Sequence, residues 1–171
     1  MCETLREPVK VLKSLSEKTT NKEYKFKRLY RNLYNPEFYF LAYKNISQSQ
    51  GSMTPGVDGK SLDGMSEKRI NALIESLKDF SYQPNPATRV YIEKKNSTKK
   101  RPLGIPSTED KLVQEVVKMI LESIYEPNFS DYSHGFRPNR SCHSALQQIQ
   151  NQFTGITWFV EGDIHACFDS F

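Results

Sequence analysis

The chain has 171 residues and a mass of 19.8 kDa, with 37% hydrophobic, 12% aromatic and 26% charged residues. That is enough for one domain with an ordinary core, too aromatic for a disordered tail and too polar for a membrane protein. The formal net charge of +4 is uneven, at +5 over residues 1–50, +2 over 51–110 and −3 over 111–171, a distribution that suits a polyanion partner as well as solvated helix surfaces.

No stretch reaches the roughly 18 apolar residues of a spanning helix, and the opening MCETLREPVK lacks the apolar run of a signal peptide. We expect no membrane contact and an intracellular, cytoplasmic protein. Cys2, Cys142 and Cys167 have no paired spacing, so they read as free thiols in a reducing compartment.

Phe26, Leu29, Tyr30 and Leu33 recur at helical spacing, with Lys25, Lys27, Arg28 and Arg31 between them. This predicts a basic amphipathic helix whose apolar side packs inward. Asn35-Pro36-Glu37 has the order of a helix start: an amide cap, a proline where its missing N–H costs nothing, and an acid in the first turn. That helix should run to about Ile46. Residues 48–64 hold four glycines and a proline and read as a loop between helical parts. Ile70, Leu73, Ile74 and Leu77 mark another helix, begun near Ser66 and ended by Ser81, Pro84 and Pro86.

The period then changes. Residues 89–92 and 103–105 are short strand-like runs separated by the polar stretch from Glu93 to Arg101, which predicts a hairpin with a basic tip. Ser107 and Asp110 form a cap pattern ahead of Val113, Val116, Val117, Ile120, Leu121 and Ile124, a long helix stopped at Pro127. A shorter helix is expected from about Ser141 to Phe153, and residues 156–164, ITWFVEGDI, read as a final strand. The fold class is α+β: helices first, then a hairpin backed by a long helix, then one strand of an incomplete sheet.

Two segments carry chemistry. Between Lys94 and Arg101 five of eight residues are positive and none is negative, a tip able to close on a triphosphate, or simply a solvated turn. No GxxxxGK[ST] loop is present. Asp163 and Asp169 stand where the last run ends, and strand-end carboxylates suit Mg²⁺, which takes oxygen ligands and substrate phosphates. His134, His143 and His165 have no zinc spacing with the cysteines.

With these segments in view, the sequence resembles a family. RVYIEKKNSTKKRPLGIPSTEDKLVQ at 89–114, SHGFRPNRSCHSAL at 133–146 and DIHACFD at 163–169 resemble, in order and spacing, three successive blocks of the reverse transcriptases encoded by group II introns, the intron maturases. NPEFYFLAYKNISQSQGSMTPGVDG is similar to that family's amino-terminal extension.

The resemblance implies an RNA-directed DNA polymerase with a right-hand fold. Residues 1–64 would form an RNA-binding helical extension and loop, 65–153 the fingers, and 154–171 the first palm strand and its motif. Asp163 matches the first catalytic metal ligand and the Ile164 carbonyl a second, for two Mg²⁺ ions in the complete enzyme. Lys94 and Arg101 match residues that hold the triphosphate, and Phe168 matches the aromatic gate under the incoming sugar. Glu93 stands where the family has proline, and His165, Ala166, Ser170 and Phe171 also differ.

The family's Tyr-Ala-Asp-Asp block, which supplies the other carboxylates, does not occur before Phe171. The resemblance therefore implies a fragment that binds RNA and does not polymerise alone. The expected partners are group II intron RNA and, in the complete enzyme, an RNA template with DNA primer and dNTP. Lys22, Lys25, Lys27, Arg28 and Arg31 are the expected RNA-binding residues. An exposed sheet edge would favour a twofold homodimer. A retron-type or other bacterial reverse transcriptase, or a purely RNA-binding module, are the alternatives.

Overall fold

Three polar residues set where the main helices begin. Asn35 accepts the Glu37 N–H through its side chain, Ser66 accepts that of Arg69, and Ser107 accepts that of Asp110. Each satisfies an N–H left without a partner in the first turn.

A computed structural model describes residues 6–49, 51–93, 98, 100–165 and 167. Its elements are α1 (Pro8–Lys18), α2 (Pro36–Ser47), α3 (Glu67–Lys78), β1 (Thr88–Glu93), β2 (Lys100–Ile105), α4 (Thr108–Tyr125) and α5 (Cys142–Gln152). Short 3₁₀ turns lie at Leu29–Tyr34, Leu62–Gly64 and Glu126–Asn128. Two compact units result, Met1–Asn128 and Phe129–Phe171.

In the first unit α4 is the central element. Its Leu112, Val113, Val116, Met119, Ile120 and Ile124 are buried in one cluster with Phe38, Tyr39 and Ala42 of α2 and Ile70, Leu73, Ile74 and Leu77 of α3. The 3-and-4 spacing of these residues puts them on one face of each helix. α1 and α2 both pack on α4. The buried Thr19 hydroxyl, at the end of α1, donates to the Ile124 carbonyl at 2.9 Å, and the Asn35 amide donates to the Arg6 carbonyl at 2.7 Å. These bonds fasten α1 at both ends.

β1 and β2 form an antiparallel pair with Thr88 opposite Ile105 and Glu93 opposite Lys100. Every strand residue is exposed except Ile105, which is half-buried. The pair therefore stands as an arm, without a face in the core. The loop before α3 packs against the foot of β2: a Cβ at Gly56 would lie 2.5 Å from the Ser107 Cα, so only glycine fits there.

The second unit contains α5, opened by a reciprocal pair in which Ser141 and Ser144 each accept the other's backbone N–H. No residue of α5 is buried.

Two expectations are corrected. Residues 24–28 are not helical: Arg28 takes a left-handed conformation (φ 60°), and only the 3₁₀ turn Leu29–Tyr34 follows. Asn35 must be extended to cap α2, as a residue before proline prefers, so no helix can run through into α2. The apolar residues still serve the core, with Leu33 buried and Phe26 and Leu29 packed against it. Tyr30, on the side expected to pack inward, is 41% exposed, with its hydroxyl donating to the Leu77 carbonyl at 3.1 Å. The second correction is the final strand, since residues 156–164 are irregular and exposed. A strand exists by its ladder, and among the described residues none lies beside this segment to complete one.

α1 has weak sequence signals. Its cap residue Glu7 makes no side-chain bond and its first turn has no acid. Pro8 at the first position and the spacing of Val11, Leu12 and Leu15, which pack against the core, are the signals that the sequence offers.

Candidate functional site

The arm carries Arg101 on β2, directly opposite Ile92 and next to Lys100, which faces Glu93 at the last described pair. Arg101 is exposed. Lys94 lies outside the described residues, as does Phe168. The strand pairing brings residues 93 and 100 together; of the basic stretch between them, only Thr98 is among the described residues.

Asp163 and Ile164 lie in an irregular exposed segment of the second unit. Among the described residues no three His, Cys, Asp or Glu side chains gather as a metal site. One carboxylate and one carbonyl are hard oxygen donors, which suits Mg²⁺ in kind. Arg137 donates to the Ser130 and Ser133 carbonyls at 2.8 and 2.9 Å and lies over the Phe129 ring. It folds its own loop. His134 completes that loop, within 2.8 Å of the Ser144 hydroxyl and 2.5 Å of the Gln148 side-chain oxygen.

A separate basic surface occurs at the amino end. Lys22, Lys25, Lys27, Arg28 and Arg31 are all exposed, and among the described residues none of them is engaged in an ion pair. Between α1 and residues 24–32 runs a groove of about 620 Å³, where Arg6 and Lys18 from the α1 side face Lys27 and Arg28. Tyr24 and Phe26 also line it, with rings edge to face at 5.1 Å, and the Lys18 ammonium stands 5.5 Å from the Tyr24 centroid. Lys10 is the groove cation already paired: the Glu7 carboxylate at 2.9 Å raises its pKa through their hydrogen bond and their opposite charge. Arg6 and Lys18 are not legible in the sequence as part of this surface, because α1 has no side-chain cap bond and no acid in its first turn to mark it.

Residues 92–171 match the family model described as reverse transcriptase (RNA-dependent DNA polymerase). The group II intron-encoded protein LtrA of Lactococcus lactis subsp. cremoris is 57% identical over 145 residues, covering 85% of this chain and 24% of that protein. The chain belongs to the group II intron-encoded reverse transcriptases. An uncharacterized 91 kDa protein in the cob intron of Schizosaccharomyces pombe is 49% identical over 145 residues, 82% of this chain and 18% of that protein. Nuclear intron maturase 1, mitochondrial, of Arabidopsis thaliana is 44% identical over 64 residues, 37% of this chain and 9% of that protein. The chain thus spans about a quarter or less of the length of these relatives. Among the described residues no helix is long and apolar enough to cross a membrane.

Proposed function

We propose that this chain supplies the nucleotide-holding arm, the first metal ligand and an RNA-docking surface of an RNA-directed DNA polymerase encoded by a group II intron. The observation that carries the reading is the antiparallel arm: an exposed ribbon whose second strand, with Lys100 and Arg101, lies inside the segment 92–171 that matches the reverse transcriptase family.

Lys94 and Arg101 hold the triphosphate of an incoming dNTP, with charge-assisted contacts aimed where negative charge collects. Phe168 lies under the sugar and disfavours a 2′-hydroxyl. Asp163 and the Ile164 carbonyl hold Mg²⁺, which supplies the Lewis acid that neutralises charge during phosphoryl transfer. Holding both ions of a two-metal site takes further carboxylates besides Asp163, so the 171 residues assayed alone bind RNA without extending a primer. The groove between α1 and residues 24–32 takes intron RNA, its cations meeting phosphates and Tyr24 offering a face to an unpaired base. Residues 1–64 form the RNA-binding extension, 65–153 the fingers and 154–171 the start of the palm.

The test uses a complete polymerase that carries this segment. Lys94→Ala and Arg101→Ala each remove a contact worth on the order of 2 kcal/mol, so kcat/KM for dNTP falls roughly thirtyfold. Phe168→Ala admits ribonucleotides. Unchanged dNTP kinetics in both arm variants would refute the assignment of the arm.

A further inference from the structure

The arm poses a mechanical question. Two-stranded ribbons are marginal in water by themselves, and this one has no apolar face on the core, because all its residues but Ile105 are exposed. Strands of six residues carry the Glu93–Lys100 pair about 20 Å from the base, and a tilt of about 10° at the base moves that pair by about 3–4 Å. Errors of even about 1 Å in the placement of reacting groups can cost two orders of magnitude in rate. What fixes the arm must therefore lie at its two feet.

Both feet end on one carboxylate. Asp110, in the first turn of α4, is 2% exposed. On the side leading into β1, the Tyr82 hydroxyl donates to its Oδ1, and the Asn85 backbone N–H donates to its Oδ2 at 3.0 Å. On the side leaving β2, the Ser107 hydroxyl donates to the same Oδ2 at 2.6 Å. The Asn85 amide bridges the feet by donating to Ser107 Oγ at 3.3 Å.

The anchor is itself held. Arg69 of α3 donates to Glu109, the neighbour of Asp110, from Nε at 3.1 Å and from Nη2 at 2.6 Å. Tyr82 packs against the core, its backbone N–H bonded to the Ser76 carbonyl at 2.9 Å. Gly56 closes against Ser107 from the other side. A buried carboxylate with three donors of fixed direction is stiffer than the exposed ribbon it secures.

We propose that Asp110 is a positioning residue for the arm: its carboxylate ties both feet to the first turn of α4 and thereby sets where Arg101 stands. The consequence for nucleotide use rests on the function proposed above for the arm, whereas the mechanical part does not.

Two measurements separate these parts. In the 171-residue chain, with its native cysteines replaced by serine, spin labels are placed at Val90→Cys on β1 and Lys118→Cys on α4, both exposed positions. Pulsed electron paramagnetic resonance should give one narrow distance distribution. Asp110→Asn keeps the size but turns one acceptor oxygen into a donor, and should broaden the distribution at least twofold with the helical circular dichroism unchanged. Tyr82→Phe and Ser107→Ala each remove one tie and should broaden it less, which keeps the test open if Asp110→Asn fails to fold. An equally narrow distribution in all three variants would overturn the proposal.

In a polymerase carrying the segment, Asp110→Asn should raise KM for dNTP about tenfold, with a smaller change in kcat and unchanged affinity for RNA. If Arg101→Ala raises KM and Asp110→Asn does not, the positioning role is refuted. If neither changes KM while the arm loosens, the mechanical tie stands and the function proposed for the arm is what fails.

Discussion

Tyr82 shows how one side chain couples the core to the arm. Burial, and then its hydrogen bond to Asp110, push its pKa well above the ordinary 10. A group whose pKa is raised by folding contributes stability that is complete below the unfolded value and is lost as the pH climbs through the folded one. Urea midpoints of the chain should therefore fall between pH 8 and pH 11, with Tyr39, raised mainly by burial, contributing to the same limb. Tyr82→Phe lowers stability at pH 8 by about 1–3 kcal/mol, since Asp110 Oδ1 loses its donor. The variant should lose less than the parent on going to pH 11. An equal alkaline loss in both would show that the fold does not hold this hydroxyl neutral.

Among the elements, those with caps were legible from sequence, because a cap is local chemistry. Asn35, Ser66, Ser107 and Ser141 each open a helix where the residue order implied, and the change of period at residue 89 marks the arm. The elements that misled are those whose form depends on distant partners. Phe26, Leu29 and Leu33 do reach the core, yet the backbone gets there through an extended stretch and a 3₁₀ turn, and the left-handed Arg28 leaves no trace in apolar spacing. Residues 156–164 have strand composition without a neighbouring strand. For the site, the basic tip and Asp163 were readable as residue types, whereas the Asp110 tie was hidden because it joins residues 82, 85 and 107 across the hairpin.

The basic surface tests the element scale in solution. Charge released on phosphate binding makes affinity fall linearly with salt on a logarithmic plot, by roughly 0.7–0.9 per contact. Replacing Lys25, Lys27 and Arg28 together with alanine should flatten that slope by about two to three units in an anisotropy titration against a structured intron RNA. These side chains are exposed and unpaired among the described residues, so the fold should survive the change. An unchanged slope would move the RNA surface elsewhere, most directly to the tip of the arm.

At the scale of the molecule, the first unit is a well-packed helical body, whereas the second carries exposed apolar residues. Trp158 and Phe159 are 88% and 85% exposed, an arrangement that favours self-association in water. Light scattering across a concentration series should show a twofold dimer at high micromolar chain, and a monomer throughout would exclude it. The central claim is that this chain carries polymerase chemistry, and Asp163 bears on it most directly. In a polymerase carrying the segment, Asp163→Asn removes the charge of the proposed metal ligand and leaves the proposed RNA-binding surface untouched. Extension of a DNA primer on an RNA template should fall by several orders of magnitude with RNA affinity retained; near-normal extension by the variant would contradict the account.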